Sequence, residues 1–291
     1  MSVTVLETKD LTYIYSKGTN YEMAAINNIN LSIEKGELVG IIGHTGSGKS
    51  TLVQHFNGIL KSTSGTVLLD GKDIWEDKTK IRNVRFKVGV CFQYPEYQLF
   101  EETVYKDISF GPKNMGLDEK EIDRKVRQVC EFVGIDESYF EKSPFDLSGG
   151  EKRRVAIAGV MAMEPEVLVL DEPCAGLDPK GRNVILDLIR DYRKKTGSTV
   201  LVVSHSMEDI SKIATKILVM NDSKLAFYDT VDNVFSHADE LIEMGLNIPE
   251  ITKLFLKLKN MGYDARTDIY TVSQAKEELL GLIERRKHNA Q

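Results

Sequence analysis

The stretch ELVGIIGHTGSGKSTLVQHF, residues 37–56, decides the fold. It begins with a short apolar run typical of a buried strand, continues through a glycine-rich turn and ends in a helical pattern. Residues 43–50 match the phosphate-binding pattern G-x-x-x-x-G-K-[ST] in full. Glycines let the backbone amides of such a loop point at a phosphate, and the helix N-terminus favours the same negative charge. Because the motif has the strand and helix it requires, the sequence predicts a nucleoside-triphosphate site here.

The predicted phosphate site consists of consecutive residues: Gly43, His44, Thr45, Gly46, Ser47, Gly48, Lys49, Ser50 and Thr51. We expect Lys49 to bring positive charge to the β- and γ-phosphates and the Ser50 hydroxyl to ligate Mg²⁺. The motif alone does not distinguish a kinase, a GTPase or an ATPase.

A pair of carboxylates follows a second apolar run, VLVLDEP at residues 167–173. Asp171 ends the predicted strand, which is the expected position for the acid that holds Mg²⁺. Glu172 comes next, where a carboxylate can orient an attacking water or accept its proton. The alternative is that the two acids only cap the following turn. The sequence contains no Asn-Lys-x-Asp pattern for guanine recognition, which disfavours a GTPase.

Composition limits the classes of partner. The 291 residues suit one large domain or two modest ones, and the net charge of −6 argues against binding nucleic acid or lipid headgroups through bulk charge. The apolar runs are too short to span a bilayer, and the N-terminal residues lack signal-peptide features. We therefore expect a cytoplasmic chain that inserts into no bilayer and reaches a membrane only through a protein partner. Cys91, Cys130 and Cys174 lack metal-ligand spacing and are expected to be reduced and buried.

The hydrophobic pattern predicts an α/β fold. The first seventy residues alternate like strands, and the apolar runs at residues 37–43, 166–171 and 198–204 fit buried strands of a central, mostly parallel sheet. One helical stripe lies between the first two runs: Ile122, Val126, Val129, Cys130 and Val133. Beyond residue 235 two amphipathic helices are predicted, with apolar faces formed by Ile251, Leu254, Phe255 and Leu258 and by Ala275, Leu279, Leu282 and Ile283.

A second potential anion site lies in LSGGE, residues 147–151, where a serine and two glycines precede a helical pattern. With the phosphate loop, LSGGE and VLVLDEP in this order, residues 3–235 resemble the ATPase subunits of ABC transporters. The resemblance assigns Tyr15 to stacking on adenine (with Tyr13 as the alternative) and Gln93 to reaching toward Mg²⁺ and the attacking water. His205 corresponds to the switch histidine at the γ-phosphate. The remaining matches are the signature and the D-loop aspartate: Ser148, Gly149, Gly150, Glu151 and Asp178.

The resemblance also implies how two anion sites serve one chain. Two ATPase subunits sit head to tail, and the phosphate loop of one faces the signature of the other, so that ATP and Mg²⁺ are held between them. The sequence departs from the family pattern at two places. Glu151 replaces the usual glutamine and adds a negative charge near the partner's phosphates, and the D-loop reads CAGLD at residues 174–178. We expect activity to survive the change to Glu151, because a helix N-terminus accepts a carboxylate. The D-loop keeps a small residue at its tight turn.

One segment helps to indicate which branch of the ABC transporter ATPases the chain resembles. FQYPEYQLFEETVYKDISFGPKNMG, residues 92–116, places Tyr94, Tyr97, Leu99 and Phe100 in an apolar patch expected to receive the membrane subunit. Together with residues 153–182 and the helical tail, the segment resembles the ATPase subunits of energy-coupling factor transporters, which import vitamins or cobalt and nickel ions. The implied partners are a second ATPase, either a paralogue or a copy of this chain, a transmembrane coupling protein and a membrane protein that binds the cargo.

This resemblance predicts an ABC ATPase domain over residues 1–235, with an antiparallel N-terminal β subdomain and a helical signature subdomain at about 95–165. Residues 236–291 are predicted to form a helical extension that helps to hold the subunits together. The chain would lie peripherally on the cytoplasmic face of the cell membrane. The alternatives are the ATPase of another kind of ABC transporter and an ABC ATPase with no role in transport.

Overall fold

Strands occupy the apolar runs and the alternating N-terminal stretch, and helices occupy the amphipathic stretches. The computed structural model describes residues 3–289, and side chains for residues 3–285. Residues 1, 2, 290 and 291, at the outer ends of the two predicted domains, lie outside the described part. In chain order the strands are β1 Thr4–Tyr15, β2 Met23–Glu34, β3 Leu38–Gly43, β4 Ser64–Leu69, β5 Lys72–Asp73, β6 Val88–Cys91, β7 Val167–Asp171, β8 Thr199–Val203, β9 Lys216–Asn221 and β10 Lys224–Thr230. The helices are α1 Lys49–Phe56, α2 Ile81–Lys87, α3 Val104–Asn114, α4 Glu119–Val133, α5 Gly149–Met161, α6 Pro179–Thr196, α7 Met207–Ile213, α8 Val231–Ser236, α9 Ala238–Glu243, α10 Glu250–Asn260 and α11 Val272–Asn289.

The central sheet has the order β10-β9-β3-β8-β7-β6. The five strands from β9 to the edge strand β6 pair in parallel, and only β10 is antiparallel to its neighbour. Every residue of β3, β7 and β8 is buried, as expected for strands covered on both faces. A separate antiparallel sheet has the order β2-β1-β4-β5. These sheets confirm the predicted α/β class and the predicted antiparallel N-terminal part.

Helices α3, α4 and α5 lie within the predicted helical subdomain. Asp118 caps α4 by accepting a hydrogen bond from the Glu121 amide at 2.9 Å, and the helix ends at Gly134 with φ 71°. The predicted stripe of α4 is buried in the main core, which confirms it. All three cysteines are free and buried, as predicted.

The C-terminal helices divide between two cores. Four side chains just after α8 belong to the main core: Ala238, Leu241, Leu246 and Ile248. Helices α10 and α11 share a separate small core formed by Phe255, Ala265, Ile269 and Ala275. The predicted apolar faces are only half covered, because Leu254 and Ile283 are 47% and 53% exposed. Within residues 3–289, no helix is long and apolar enough to cross a membrane.

Candidate nucleotide-binding site

A cavity of about 700 Å³ opens where β3 meets α1, at the carboxyl ends of the parallel strands. Open α/β sheets bind ligands at this edge. The cavity brings together the residues that the sequence predicts for one nucleotide, except Ser47, which is buried within the loop and does not line the cavity. The lining residues are Tyr15, Gly43, His44, Thr45, Gly46, Gly48, Lys49, Ser50, Thr51, Gln93, Asp171, Glu172 and His205. These residues come from segments that are distant in the sequence and line one continuous space.

Two glycines of the phosphate loop have no room for a side chain. A Cβ on Gly43 would lie 2.4 Å from the Met220 carbonyl oxygen, and one on Gly48 would lie 2.2 Å from the Ala25 carbonyl oxygen. Gly48 also has φ 103°, in the left-handed region that favours glycine. The loop is therefore wedged against neighbouring strands, which fixes its amides around the cavity.

Lys49, the first residue of α1, is held by the loop that it follows. Its Nζ donates to the carbonyl oxygens of Gly43 at 2.8 Å and His44 at 2.9 Å. Burial lowers the pKa of Lys49, while the nearby charges of Glu172 and Asp171 act to raise it. The ammonium group thus shares the cavity with Glu172, the predicted catalytic carboxylate, and Asp171, the predicted Mg²⁺ ligand.

Asp171 and Ser50 provide hard oxygen ligands at the floor of the cavity. Asp171 is 7% exposed, and burial raises the pKa of its carboxyl, against the effect of a hydrogen bond from the Ser50 hydroxyl. The hydroxyl oxygen of Ser47 is buried with no hydrogen-bond partner. No group of three or more His, Cys, Asp or Glu side chains in the described part could hold a metal by itself. The donors nevertheless fit Mg²⁺, which usually takes one or two carboxylates together with substrate phosphates.

Glu172 and His205 form a pair at the opposite wall. The His205 Nδ1 lies 2.9 Å from the Glu172 Oε1. Glu172 has φ 50°, unusual for a residue with a side chain, and its amide donates to the Val203 carbonyl oxygen at 2.9 Å. The sharp turn out of β7 directs the carboxylate into the cavity, where 12% of its side chain is exposed. Such strained backbone is common at catalytic positions.

The structure separates the two tyrosines that the sequence left open. Tyr15 lines the cavity, and its hydroxyl lies 3.2 Å from the Thr51 Oγ1. Tyr13 packs instead between Tyr15 and His55, with both ring centroids 4.8 Å from its own. Tyr15 therefore offers a ring to the cavity, and Tyr13 supports it from behind.

The signature residues lie outside this cavity. Ser148 is the N-cap of α5, exposed together with Gly149, and forms a reciprocal capping box with Glu151. The Ser148 amide and hydroxyl donate to Glu151 at 2.8 and 2.6 Å, and the Tyr139 hydroxyl donates to it at 3.0 Å. These hydrogen bonds, chiefly the one from the Ser148 hydroxyl, lower the pKa of Glu151. The carboxylate that replaces glutamine is thus tied to its own helix end.

Asp178 is also exposed and away from the cavity. It caps α6 by accepting a hydrogen bond from the Gly181 amide at 2.7 Å. The N-terminus of α5 and Asp178 therefore lie elsewhere on the surface and do not contribute to the nucleotide cavity.

The apolar patch after Gln93 differs from the prediction at one residue. Tyr94, Tyr97 and Phe100 are 42%, 84% and 58% exposed, as an interaction patch requires. Leu99 is 7% exposed and belongs to the main core, so its inclusion in the exposed patch was wrong. The chain alternates at this point, and Leu99 points inward between two outward side chains.

Sequence reasoning missed part of the cavity wall. Gly245, Leu246 and Asn247, from the predicted extension, line the cavity together with Met207. No recognisable motif marks this segment. It reaches the site because Leu246 and Ile248 pack into the main core.

Comparison with known proteins shows which family the chain belongs to. The family model described as ABC transporter matches residues 26–175. The energy-coupling factor transporter ATP-binding protein EcfA2 of Clostridium perfringens is 53% identical over 279 residues, which cover 96% of this chain and 98% of that protein. The protein of the same name from Acetivibrio thermocellus is 54% identical over 269 residues, covering 92% of this chain and 95% of the relative.

Solved structures agree. The structure of cbiO1 from Clostridium perfringens, described as part of the ABC transporter complex cbiONQ, has a TM-score of 0.74 and 39% identity, and the match covers 89% of this chain and 98% of that one. A dimeric ATP-binding cassette in a post-hydrolysis state with ADP and phosphate has a TM-score of 0.69 and 27% identity, with 77% of this chain and 98% of that one covered. The chain belongs to the ABC transporter family, as an ATP-hydrolysing subunit of the energy-coupling factor type.

Proposed function

We propose that two such ATPase subunits bind ATP head to tail and that its hydrolysis drives import through membrane partners docked on the apolar patch. The observation that carries this proposal is the division of the phosphate-binding groups. The cavity contains the phosphate loop and the carboxylates, whereas Ser148 and Gly149, at the N-terminus of α5, are exposed and lie outside it. A second subunit, turned head to tail, would bring its α5 to the open side of the cavity.

Within the cavity each side chain has a distinct role. Tyr15 stacks on the adenine, and the loop amides with Lys49 bind the β- and γ-phosphates. Glu172 orients the attacking water and accepts its proton, and His205 beside it contacts the γ-phosphate. Mg²⁺ would be held by Ser50 and Asp171, with Gln93 reaching toward it, and supplies positive charge to the phosphate oxygens.

The second subunit supplies Ser148, Gly149, Gly150, Glu151 and, from its D-loop, Asp178. Backbone amides at the N-terminus of α5 would meet the γ-phosphate. Loss of that phosphate on hydrolysis removes the anion that joins the subunits, so the dimer opens. The half-covered faces of α10 and α11 fit a further contact with the second ATPase, either a paralogue or a copy of this chain.

The membrane partner is proposed to dock beside the apolar patch. A groove of about 440 Å³ there is lined by Arg82, Arg85, Phe86, Phe100, Phe110 and Met163, among others. The Phe100 and Phe110 rings meet edge to face at 4.9 Å between centroids. Its shape and apolar floor suit a short helix of a transmembrane coupling protein, which would place the chain on the cytoplasmic face of the membrane. The cargo, a vitamin or a metal ion, would be bound by a further membrane protein.

Affinity capture tests this assignment. The tagged chain, expressed in its own cell, is recovered from detergent-solubilised membranes, and its partners are identified by mass. We expect a second ATPase, a multi-span coupling protein and a small membrane protein that binds the cargo. Recovery of the chain only from the soluble fraction, without membrane partners, would overturn the transport role and leave the ATPase activity standing.

Replacing Tyr97 and Phe100 by serine is expected to uncouple the chain from its membrane partner. The apolar patch loses two exposed aromatic side chains, one of which, Phe100, also lines the groove, while nucleotide binding is unchanged because neither residue lines the cavity. Co-purification of the coupling protein and cargo uptake should fall about tenfold or more, since buried aromatic anchors dominate such interfaces. Val3→Ser, at a 58% exposed position just before β1, is the matched control. Undiminished co-purification and uptake would contradict the proposed docking site.

Replacing Tyr15 by serine is expected to weaken ATP binding. Stacking of a base on an aromatic ring contributes about 1–3 kcal/mol, so the Kd for ATP should rise about tenfold or more. Tyr15→Phe keeps the ring and should keep the affinity, although it loses the contact with Thr51. Titration with a fluorescent ATP analogue measures both. Equal losses in the two variants would show that the hydroxyl, not the ring, matters.

A further inference from the structure

Arg153 is a buried cation that joins three separate segments. It lies on α5, five residues after Ser148, and is 3% exposed. Its Nε and Nη2 donate to the two carboxylate oxygens of Glu96 at 3.1 and 2.8 Å. Its Nη1 donates to the carbonyl oxygens of Pro173 at 3.2 Å and Ala175 at 2.5 Å. One side chain therefore holds the segment after Gln93 and the turn after the second apolar run against the signature helix.

The two segments that Arg153 holds lie next to groups that act on ATP or on the membrane protein. Glu96 belongs to a short 3-10 helix, Pro95–Gln98, which follows the exposed Tyr94 and contains the exposed Tyr97. Pro173 directly follows Glu172, and the Ala175 amide donates back to the Glu172 carbonyl oxygen at 3.1 Å. A displacement of Glu96 would therefore move the turn that directs the Glu172 carboxylate into the cavity.

A guanidinium group suits this position and an ammonium group does not. The planar fork of arginine binds both oxygens of a carboxylate and still directs another N–H elsewhere, whereas lysine is a compact point charge. The pair is also buried, so each charge depends on the other for compensation. Removing either partner leaves the remaining one unpaired, which couples the two segments.

We propose that Arg153 is a positioning residue for ATP hydrolysis that ties the Glu172 turn to the segment after Gln93. It does not line the cavity. Its first effect is on the basal rate, because the turn holds Glu172. Its second effect rests on the proposed function: docking of the membrane protein at Tyr97 shifts Glu96 and, through Arg153, the catalytic turn. Linkage requires the converse too, so that the state of the catalytic turn alters the affinity for the docked partner.

Two substitutions test the proposal in the purified ATPase dimer and in the full transporter. Arg153→Lys is expected to lower kcat in the dimer about 10- to 100-fold, the loss typical of a misplaced catalytic group, with the Kd for ATP unchanged. For the same variant, the ratio of kcat in the full transporter to kcat in the dimer should fall toward one. Glu96→Gln should reduce the same ratio, and the double variant should lose no more than the worse single variant, because the two residues act as a unit.

Lys125→Gln is the matched control. Lys125 is also buried, at 6% exposed, and pairs with the half-exposed Glu164 at 2.5 Å, but neither residue lines the cavity. It should change thermal stability and leave kcat and the ratio as they are. If Arg153→Lys keeps kcat within about twofold, or Lys125→Gln causes the same loss, Arg153 is only structural and the proposal fails. If kcat of the wild-type transporter is no higher than kcat of the dimer, the proposed coupling to the membrane protein fails. The effect of Arg153→Lys on kcat in the dimer still decides whether Arg153 positions the catalytic turn.

Discussion

Replacing Glu172 by glutamine is expected to leave ATP binding intact and to lower turnover about 10²- to 10⁴-fold, the usual contribution of a positioned general base. Glutamine has nearly the same shape, so the turn after β7 and the contact with His205 persist. It cannot accept the proton of the attacking water. Because the γ-phosphate then stays in place, the variant should accumulate as the closed, ATP-bound dimer.

Turnover is measured by phosphate release, and binding by equilibrium titration with ATP. Glu166→Gln is the matched control, since Glu166 stands just before the start of the same strand and pairs with Lys35 and Lys87 on the surface. It should retain wild-type turnover, because exposed ion pairs contribute little. Wild-type turnover in Glu172→Gln would remove Glu172 from the catalytic role and return the pair of acids to a capping function.

Local patterns predicted the parts of the site that are contiguous in the chain. The phosphate loop, the buried strand before Asp171 and the stripe of α4 each depend on residues within one element, so their spacing is visible in the sequence. Gly43 and Gly48 are a partial exception. The motif asks for glycine there, but the collisions that exclude a side chain come from Met220 and Ala25, which lie far away in the sequence.

Contacts between distant segments could not be predicted. Tyr13 and Tyr15 have the same chemistry and the same strand face, but in the fold Tyr13 packs against His55 and Tyr15 lines the cavity. Asn247 reaches the site because its neighbours pack into the main core, which no motif encodes. Similarly, the sequence showed a negative charge at Glu151 but not the Tyr139 hydroxyl that binds it.

Replacing Gly150 by aspartate is expected to abolish ATP-driven dimerisation while sparing the subunit itself. A Cβ at Gly150 meets no atom within 4 Å, and its φ is not positive, so the side chain has space. A carboxylate in the first turn of α5 also suits the helix dipole. It would nevertheless stand where the proposed dimer places the partner's γ-phosphate, and it would repel that charge. Turnover should fall about 10²- to 10³-fold, as when a donor to a reacting oxyanion is lost.

The Glu172→Gln background gives the sharpest form of this measurement, because ATP is not consumed there. Light scattering should report a dimer with ATP for Glu172→Gln and a monomer once Gly150→Asp is added, with the Kd for ATP of the single subunit unchanged. Lys120→Asp puts a carboxylate at the equivalent second position of α4 and should leave the dimer intact. If Gly150→Asp instead weakens ATP binding to its own subunit, the signature serves the cavity of the same chain. A dimer that survives Gly150→Asp would show that α5 meets no phosphate, and the head-to-tail arrangement would have to be abandoned.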